Sequence, residues 1–210
     1  YGIDPLPSSN GDDAIELSEK YDLAGKKVIL SLGHLHGLRN RCDLVRALAK
    51  VSKHIPDVVL IIVGSVMTDE TKRVADEVGV SEKVVFAGEV LRAKLGPYVE
   101  LADIEAHWLT QANDNSLGIA TMECLASGLA VIGCRTKGLF DEEFFVDGEN
   151  ISMIQPGNVD EIARVLQELL GNDSKRESMG KAAAEMMRAF AWKRIAEKTT
   201  LLALNADIEA

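Results

Sequence analysis

Residues 113–128 read Asn-Asp-Asn-Ser-Leu-Gly-Ile-Ala-Thr-Met-Glu-Cys-Leu-Ala-Ser-Gly. A polar turn opens a helix that carries one carboxylate, Glu123, and the small residues Ala126-Ser127-Gly128 hand the chain to the apolar run Leu129-Ala130-Val131-Ile132. A turn that leads into a helix N-terminus presents free backbone N–H groups and the positive end of the helix dipole, which suits a phosphate or diphosphate. Ser116, Leu117 and Gly118 stand where those N–H groups would be, beside Asp114 and Asn115. Glu123 lies about six residues further on, roughly 9 Å along the axis at about 1.5 Å per residue. That is the span from a diphosphate to the ribose it carries, and a carboxylate can accept hydrogen bonds from two hydroxyls. The same residues have plainer readings. Asn-Asp-Asn-Ser is a good turn and N-cap sequence, and Glu123 could simply face solvent.

A second stretch, Gly33-His34-Leu35-His36-Gly37-Leu38-Arg39, sets basic side chains on a Gly-rich turn after a strand-like run. Positive charge aimed at a departing diphosphate stabilises the charge that develops there. Arg39 offers a bidentate fork; His34 is a weaker cation near neutral pH unless a phosphate raises its pKa. His34 and His36 lack a further ligand at metal-site spacing, so no metal is expected.

These loops need rigid elements behind them. Apolar runs at 28–32, 58–63, 84–87, 104–109, 129–133 and 151–154 read as strands. Helical patterns fall at 12–21, 43–54, 69–78, 94–102 and 117–127. Three helices close the chain. One starts at Asn158, with Glu161 at capping-box spacing, and stops at Gly171; the next follows Ser174; the last runs from about Ala191. Continuous apolar strands alternating with helices predict an α/β fold, a Rossmann-like doubly wound parallel sheet covered on both faces. Ligands of such sheets sit at the carboxyl ends of the strands, where both loops fall. Residues 1–25, rich in Pro, Ser and Gly, read as a linker or N-terminal extension, and 26–210 as one domain.

The chain has 210 residues, of which 47% are hydrophobic, enough for one well-packed domain. No run approaches a transmembrane span, and no signal segment opens the sequence. A net charge of −10 argues against a nucleic-acid surface. Cys42, Cys124 and Cys134 show no metal or redox spacing and read as reduced thiols, which points to the cytoplasm.

With its helix and strand, the stretch from Glu123 to Val131 resembles the signature of the group 1 glycosyltransferases, the retaining nucleotide-sugar enzymes of GT-B fold. Their pattern places two acids eight positions apart, the second in Glu-Ala-Met-Ala-Ala-Gly-Leu-Pro-Val. Here the second is Glu123, and the first falls on Asn115, next to Asp114. The resemblance runs from about residue 26 to 202 in the order of the family's C-terminal, donor-binding domain. It implies ribose binding by Glu123, a contact of Asn115 or Asp114 to a donor-sugar hydroxyl, and diphosphate neutralisation by Arg39 and His34 in the loop opened by Gly33. The loop Gly88-Glu89-Val90 would cover the base, making Val90 a base contact. Asp147-Gly148-Glu149-Asn150 matches a family turn. Gly2-Ile3-Asp4 is similar to the family's interdomain linker, and Phe190-Ala191-Trp192 to the segment before its last helix. With Tyr1 rather than Met at its start, the chain is expected to be the donor half of a longer enzyme. A glycan or lipid acceptor would be held by an N-terminal domain outside it. No cofactor or metal is implied. Two other readings remain: a nucleotide-sugar-binding module without catalysis, given His34 and Asn115, and a dinucleotide oxidoreductase. The second lacks Gly-x-Gly-x-x-Gly at the first strand–helix turn.

Overall fold

A computed structural model describes residues 2–33, 41–64, 69–107, 118–135 and 143–206. Six parallel strands form one sheet: β1 Lys27–Leu32, β2 Val58–Val63, β3 Val84–Gly88, β4 Ile104–Glu105, β5 Ala130–Cys134 and β6 Ser152–Ile154. Their order is β3-β2-β1-β4-β5-β6. The helices are α1 Asp12–Lys20, α2 Arg41–Val51, α3 Glu70–Glu77, α4 Gly96–Leu101, α5 Ile119–Ala126, α6 Val159–Leu170, α7 Asp173–Met187 and α8 Trp192–Ala206. The expected doubly wound parallel sheet is therefore the fold of this chain.

The continuous apolar strands are explained by two cores, one on each face. Every residue of β2 is buried, yet successive side chains point to opposite faces. Val58, Leu60 and Ile62 enter one core with Leu44, Leu48 and Leu166. Val59, Ile61 and Val63 enter the other with Leu125, Ala183 and Met187. β1 and β5 divide in the same way, so α2, α3 and α6 cover one face while α5 and α7 cover the other.

Several boundaries differ from the sequence reading, each for a local reason. The helix expected at 94–102 divides into a 3₁₀ turn, Arg92–Lys94, and α4, because Pro97 falls in the first turn of α4 and suits only such a position. α7 is capped by Asn172, whose Oδ1 accepts from the Lys175 N–H at 2.9 Å, rather than starting after Ser174. At α6 only half of the capping box forms. Asn158 Oδ1 accepts from the Glu161 N–H, but the Glu161 carboxylate accepts from the Gln155 N–H instead of closing back on Asn158. β4 forms its ladder only over Ile104–Glu105; residues 108 and 109 of that expected strand lie outside the described residues. The stretch read as a linker is packed onto the domain: Ile3, Leu6, Leu17 and Leu23 join the second core. The Leu6 N–H donates to Ser127 Oγ, and the Ile3 N–H donates to the Phe190 carbonyl at 2.8 Å. Residues 3–6 are thus fastened both to the end of α5 and to the turn that precedes α8.

α7 approaches the turn before β5 closely enough that a Cβ on Gly180 would run into the Gly128 carbonyl. Alanine normally favours a helix interior over glycine by about 1 kcal/mol. Here the sign should reverse: Gly180→Ala should lower the unfolding free energy in urea by about 1–3 kcal/mol. A gain in stability would show that α7 and the turn have room to part.

Candidate functional site

Strand order sets the site. β1 and β4 are neighbours, but the helix after β1 covers one face and the helix after β4 covers the other. The starts of α2 and α5 therefore flank the carboxyl ends of β1 and β4 from opposite faces, and the crevice between them is the usual ligand position in an open parallel sheet.

The floor of that crevice is polar and closed. Arg41 opens α2 and is 1% exposed. Its Nε donates to Ser31 Oγ at 3.0 Å, and its Nη2 donates to the carbonyls of Gly33 at 2.5 Å and Val63 at 3.1 Å. Buried guanidinium is tolerated because backbone oxygens at the ends of β1 and β2 surround it. His107 is buried beside it, with Nδ1 3.0 Å from Ser31 Oγ. Gly33 shows why this position needs glycine. Its φ is 142°, and a Cβ would stand 2.6 Å from His107 Nε2. Glu105, the last residue of β4, is also buried and accepts from Thr121 Oγ1 of α5 at 3.4 Å. The sequence reading assigned His107 no role and did not single out Arg41, Glu105 or Ser31. Arg41 lay just before the helix expected at 43–54, and the pairing of β1 with β2 and β4 gathers these residues.

On the opposite wall, α5 begins at Ile119 with Gly118 as N-cap, without a side-chain cap among the described residues. Its first N–H groups thus keep their capacity for an anion. Glu123 lies one turn in. It is 8% exposed, so it does not face open solvent. Arg92 Nε donates to Glu123 Oε1 at 2.6 Å. Together they line a cavity of about 240 Å³ with Ile119, Trp192 and the backbone-rich start Gly2, Ile3 and Asp4. Arg92 was missed because it lies on the loop after β3, far from Glu123 in sequence; its one signal was a cation just beyond Gly88-Glu89-Val90. Val90, on the same loop, is half-buried against the second core. A larger open groove, about 630 Å³, lies between residues 5–9 and the ends of α4 and α5, and it contains none of the expected site residues.

Of those residues, Gly33, Val90, Gly118 and Glu123 are described. His34, Arg39, Asp114, Asn115, Ser116 and Leu117 lie outside the described residues. Among the described residues, no group of three or more His, Cys, Asp and Glu is arranged to hold a metal ion. The Cys124 thiol, on the buried side of α5, is pushed well above its usual range by burial, then by Glu105 and Glu123, an environment that disfavours the thiolate. The 147–150 turn is structural. Asp147 accepts from the Met153 N–H at 2.8 Å, and Asn150 bridges Val146 and Phe144.

This sheet, with a crevice between β1 and β4 and a carboxylate on the following helix, is the Rossmann-like domain of GT-B glycosyltransferases. The family model "Glycosyl transferases group 1" matches residues 13–186, and the chain belongs to that family. It is 29% identical over 176 residues to a GDP-mannose-dependent alpha-(1-6)-phosphatidylinositol monomannoside mannosyltransferase of Mycolicibacterium smegmatis, covering 81% of this chain and 46% of that protein. It is 29% identical over 188 residues to a D-inositol 3-phosphate glycosyltransferase of Corynebacterium aurimucosum, covering 86% of this chain and 43% of that one. The chain spans about half the length of the curated relatives it matches. Among solved structures it superposes on Anabaena HepE in complex with UDP-glucose, with a TM-score of 0.80 at 21% identity, covering 95% of this chain and 56% of that one. It also superposes on the C-terminal domain of a group 1 glycosyl transferase, LpcC, of Francisella tularensis. There the TM-score is 0.71 at 18% identity, with 90% of this chain and 97% of that one covered. No described helix is long and apolar enough to cross a membrane.

If Arg41 fastens the crevice floor, Arg41→Met should lower the unfolding free energy by at least about 2 kcal/mol, because several buried carbonyls lose a charged donor. A change below about 0.5 kcal/mol, typical of surface substitutions, would mean that the floor holds without it.

Proposed function

We propose that this chain is the donor-binding half of a hexosyltransferase. It binds a nucleotide-diphosphate sugar, and the sugar passes with retained configuration to an acceptor held by a second domain. The observation that carries this reading is Glu123: a carboxylate nearly closed from solvent, one turn into a helix that has no side-chain cap among the described residues, lining a cavity. A buried carboxylate is costly unless something hydrogen-bonds it, and a ribose diol supplies the matching pair of donors. In this reading the diphosphate lies at the N–H groups of Ser116, Leu117 and Gly118, and Arg39 and His34 neutralise it as it leaves. Asn115 or Asp114 holds a hydroxyl of the donor sugar, and Val90 covers the base. Charge neutralisation by side chains and the helix end needs no metal. The start of α8 leaves Trp192 half-exposed, and further along Leu201 and Leu202 are exposed, which fits an apolar seat for an acceptor domain. The work would be done in the cytoplasm, where nucleotide sugars and reduced thiols coexist.

Support also comes from the relatives, named as mannosyl- and inositol-phosphate glycosyltransferases, and from UDP-glucose in the Anabaena structure. A second reading, a module that binds the donor without transferring it, is favoured by His34 and Asn115 standing where the family has Arg and an acid.

Calorimetric titration with UDP, GDP and ADP, each with and without EDTA, should show one nucleotide binding, undiminished by chelation. Glu123→Ala should weaken that binding about 10- to 100-fold, the worth of hydrogen bonds to a charged group. Unchanged affinity in Glu123→Ala would remove the ribose assignment. In the full-length protein, loss of transfer with Arg39→Ala separates the enzyme from the binding-only module.

A further inference from the structure

We infer that Arg92 is a positioning residue for nucleotide recognition: it holds the Glu123 carboxylate in the orientation that receives the ribose and ties the loop bearing Val90 to α5. This rests on the donor-site reading above. Three observations carry it. First, the contact joins two elements far apart in sequence, the 3₁₀ turn Arg92–Lys94 after β3 and the middle of α5. Second, the pair is asymmetric. The Glu123 side chain is 10% exposed and the Arg92 side chain 55% exposed, so the arginine reaches in from the rim to a carboxylate that is nearly enclosed. Third, both line the same cavity with Ile119 and Trp192, so the contact sits at the opening a ligand would enter rather than inside a core.

The chemistry is specific. Arg92 engages Oε1 through Nε. An ionised carboxylate has about four acceptor positions over its two oxygens, so Oε2 and the remaining lone pair of Oε1 stay available for two hydroxyls. A single charged donor fixes the carboxylate plane, and rotation about the last side-chain torsion is otherwise broad. Fixing it beforehand lowers the ordering cost of binding. Because Arg92 follows Val90 by two residues, the same contact holds the base-covering loop against the ribose helix. A cation that only contributed general charge would strengthen every polyanion equally. A positioning cation strengthens ligands with both ribose hydroxyls and leaves those lacking one of them less affected.

The test uses this chain and four probes: UDP, GDP and their 2′-deoxy counterparts, titrated against the wild type, Arg92→Ala and Arg92→Lys. The wild type should prefer the ribonucleotide of the base it binds over its 2′-deoxy form. Arg92→Ala should weaken the ribonucleotide about fivefold, within the range of a partly exposed ion pair, while changing the 2′-deoxy form by less than about twofold. Arg92→Lys should restore part of the preference, since it keeps the charge without the planar fork. Equal weakening of ribo and deoxy forms in Arg92→Ala overturns the inference, leaving Arg92 as a bulk charge or a loop support. Full ribose preference retained in Arg92→Ala overturns it as well. If the wild type itself shows no ribose preference, the ribose assignment of Glu123 falls and the inference falls with it. Unchanged thermal melting of the variants excludes unfolding as the cause of any loss.

Discussion

A carboxylate kept almost dry at the mouth of a crevice is the constraint around which this domain is arranged. Glu123 is 8% exposed, and a charge so placed needs donors at fixed positions. One donor is Arg92, reaching over from the loop after β3. The geometry leaves the outward side of the carboxylate to the cavity, where Ile119, Trp192 and the first residues of the chain form the rim. Residues 2–4 are held there from behind: the Ile3 N–H donates to the Phe190 carbonyl, and Gly2 lies so close to Trp192 that a Cβ would meet its backbone and ring. Phe190 in turn packs edge-on against Phe144 at 5.2 Å.

Behind the carboxylate stands a sheet whose topology does the placing. The crossovers divide between β1 and β4, so the N-termini of α2 and α5 approach the crevice from opposite faces. Two cores of interleaved aliphatic side chains make that frame rigid. At its polar end Arg41 gathers the carbonyls of Gly33 and Val63, and Ser31 Oγ accepts from its Nε. The frame and the site thus meet at Gly33, whose carbonyl belongs to the floor and whose Cα rests on His107.

Much of this was legible in the residues. Unbroken runs such as Val58–Val63 leave little choice but a strand buried on both faces, and the six strands lie within a few residues of their expected places. Glu123 stood out because its type and its distance from a turn matched a ligand's dimensions. What was not legible was lateral. Arg92 meets Glu123, and Arg41 meets Val63, only through strand order and helix crossing, which no local pattern encodes. The start of α7 was expected after Ser174, whereas Asn172 caps it. Both residue types make good caps, and it is Asn172 Oδ1 that accepts from the Lys175 N–H. Residues 2–25 looked like a linker because turn-forming residues are conspicuous, whereas the four aliphatic anchors that bury them are spread thinly among them.

The most direct test of the central claim is a crystal structure of this chain with the nucleoside diphosphate it binds best. The account predicts both ribose hydroxyls within hydrogen-bond distance of the Glu123 carboxylate, Arg92 still on Oε1, and the diphosphate at the start of α5. A nucleotide seated elsewhere, with Glu123 making no contact to sugar, would contradict it.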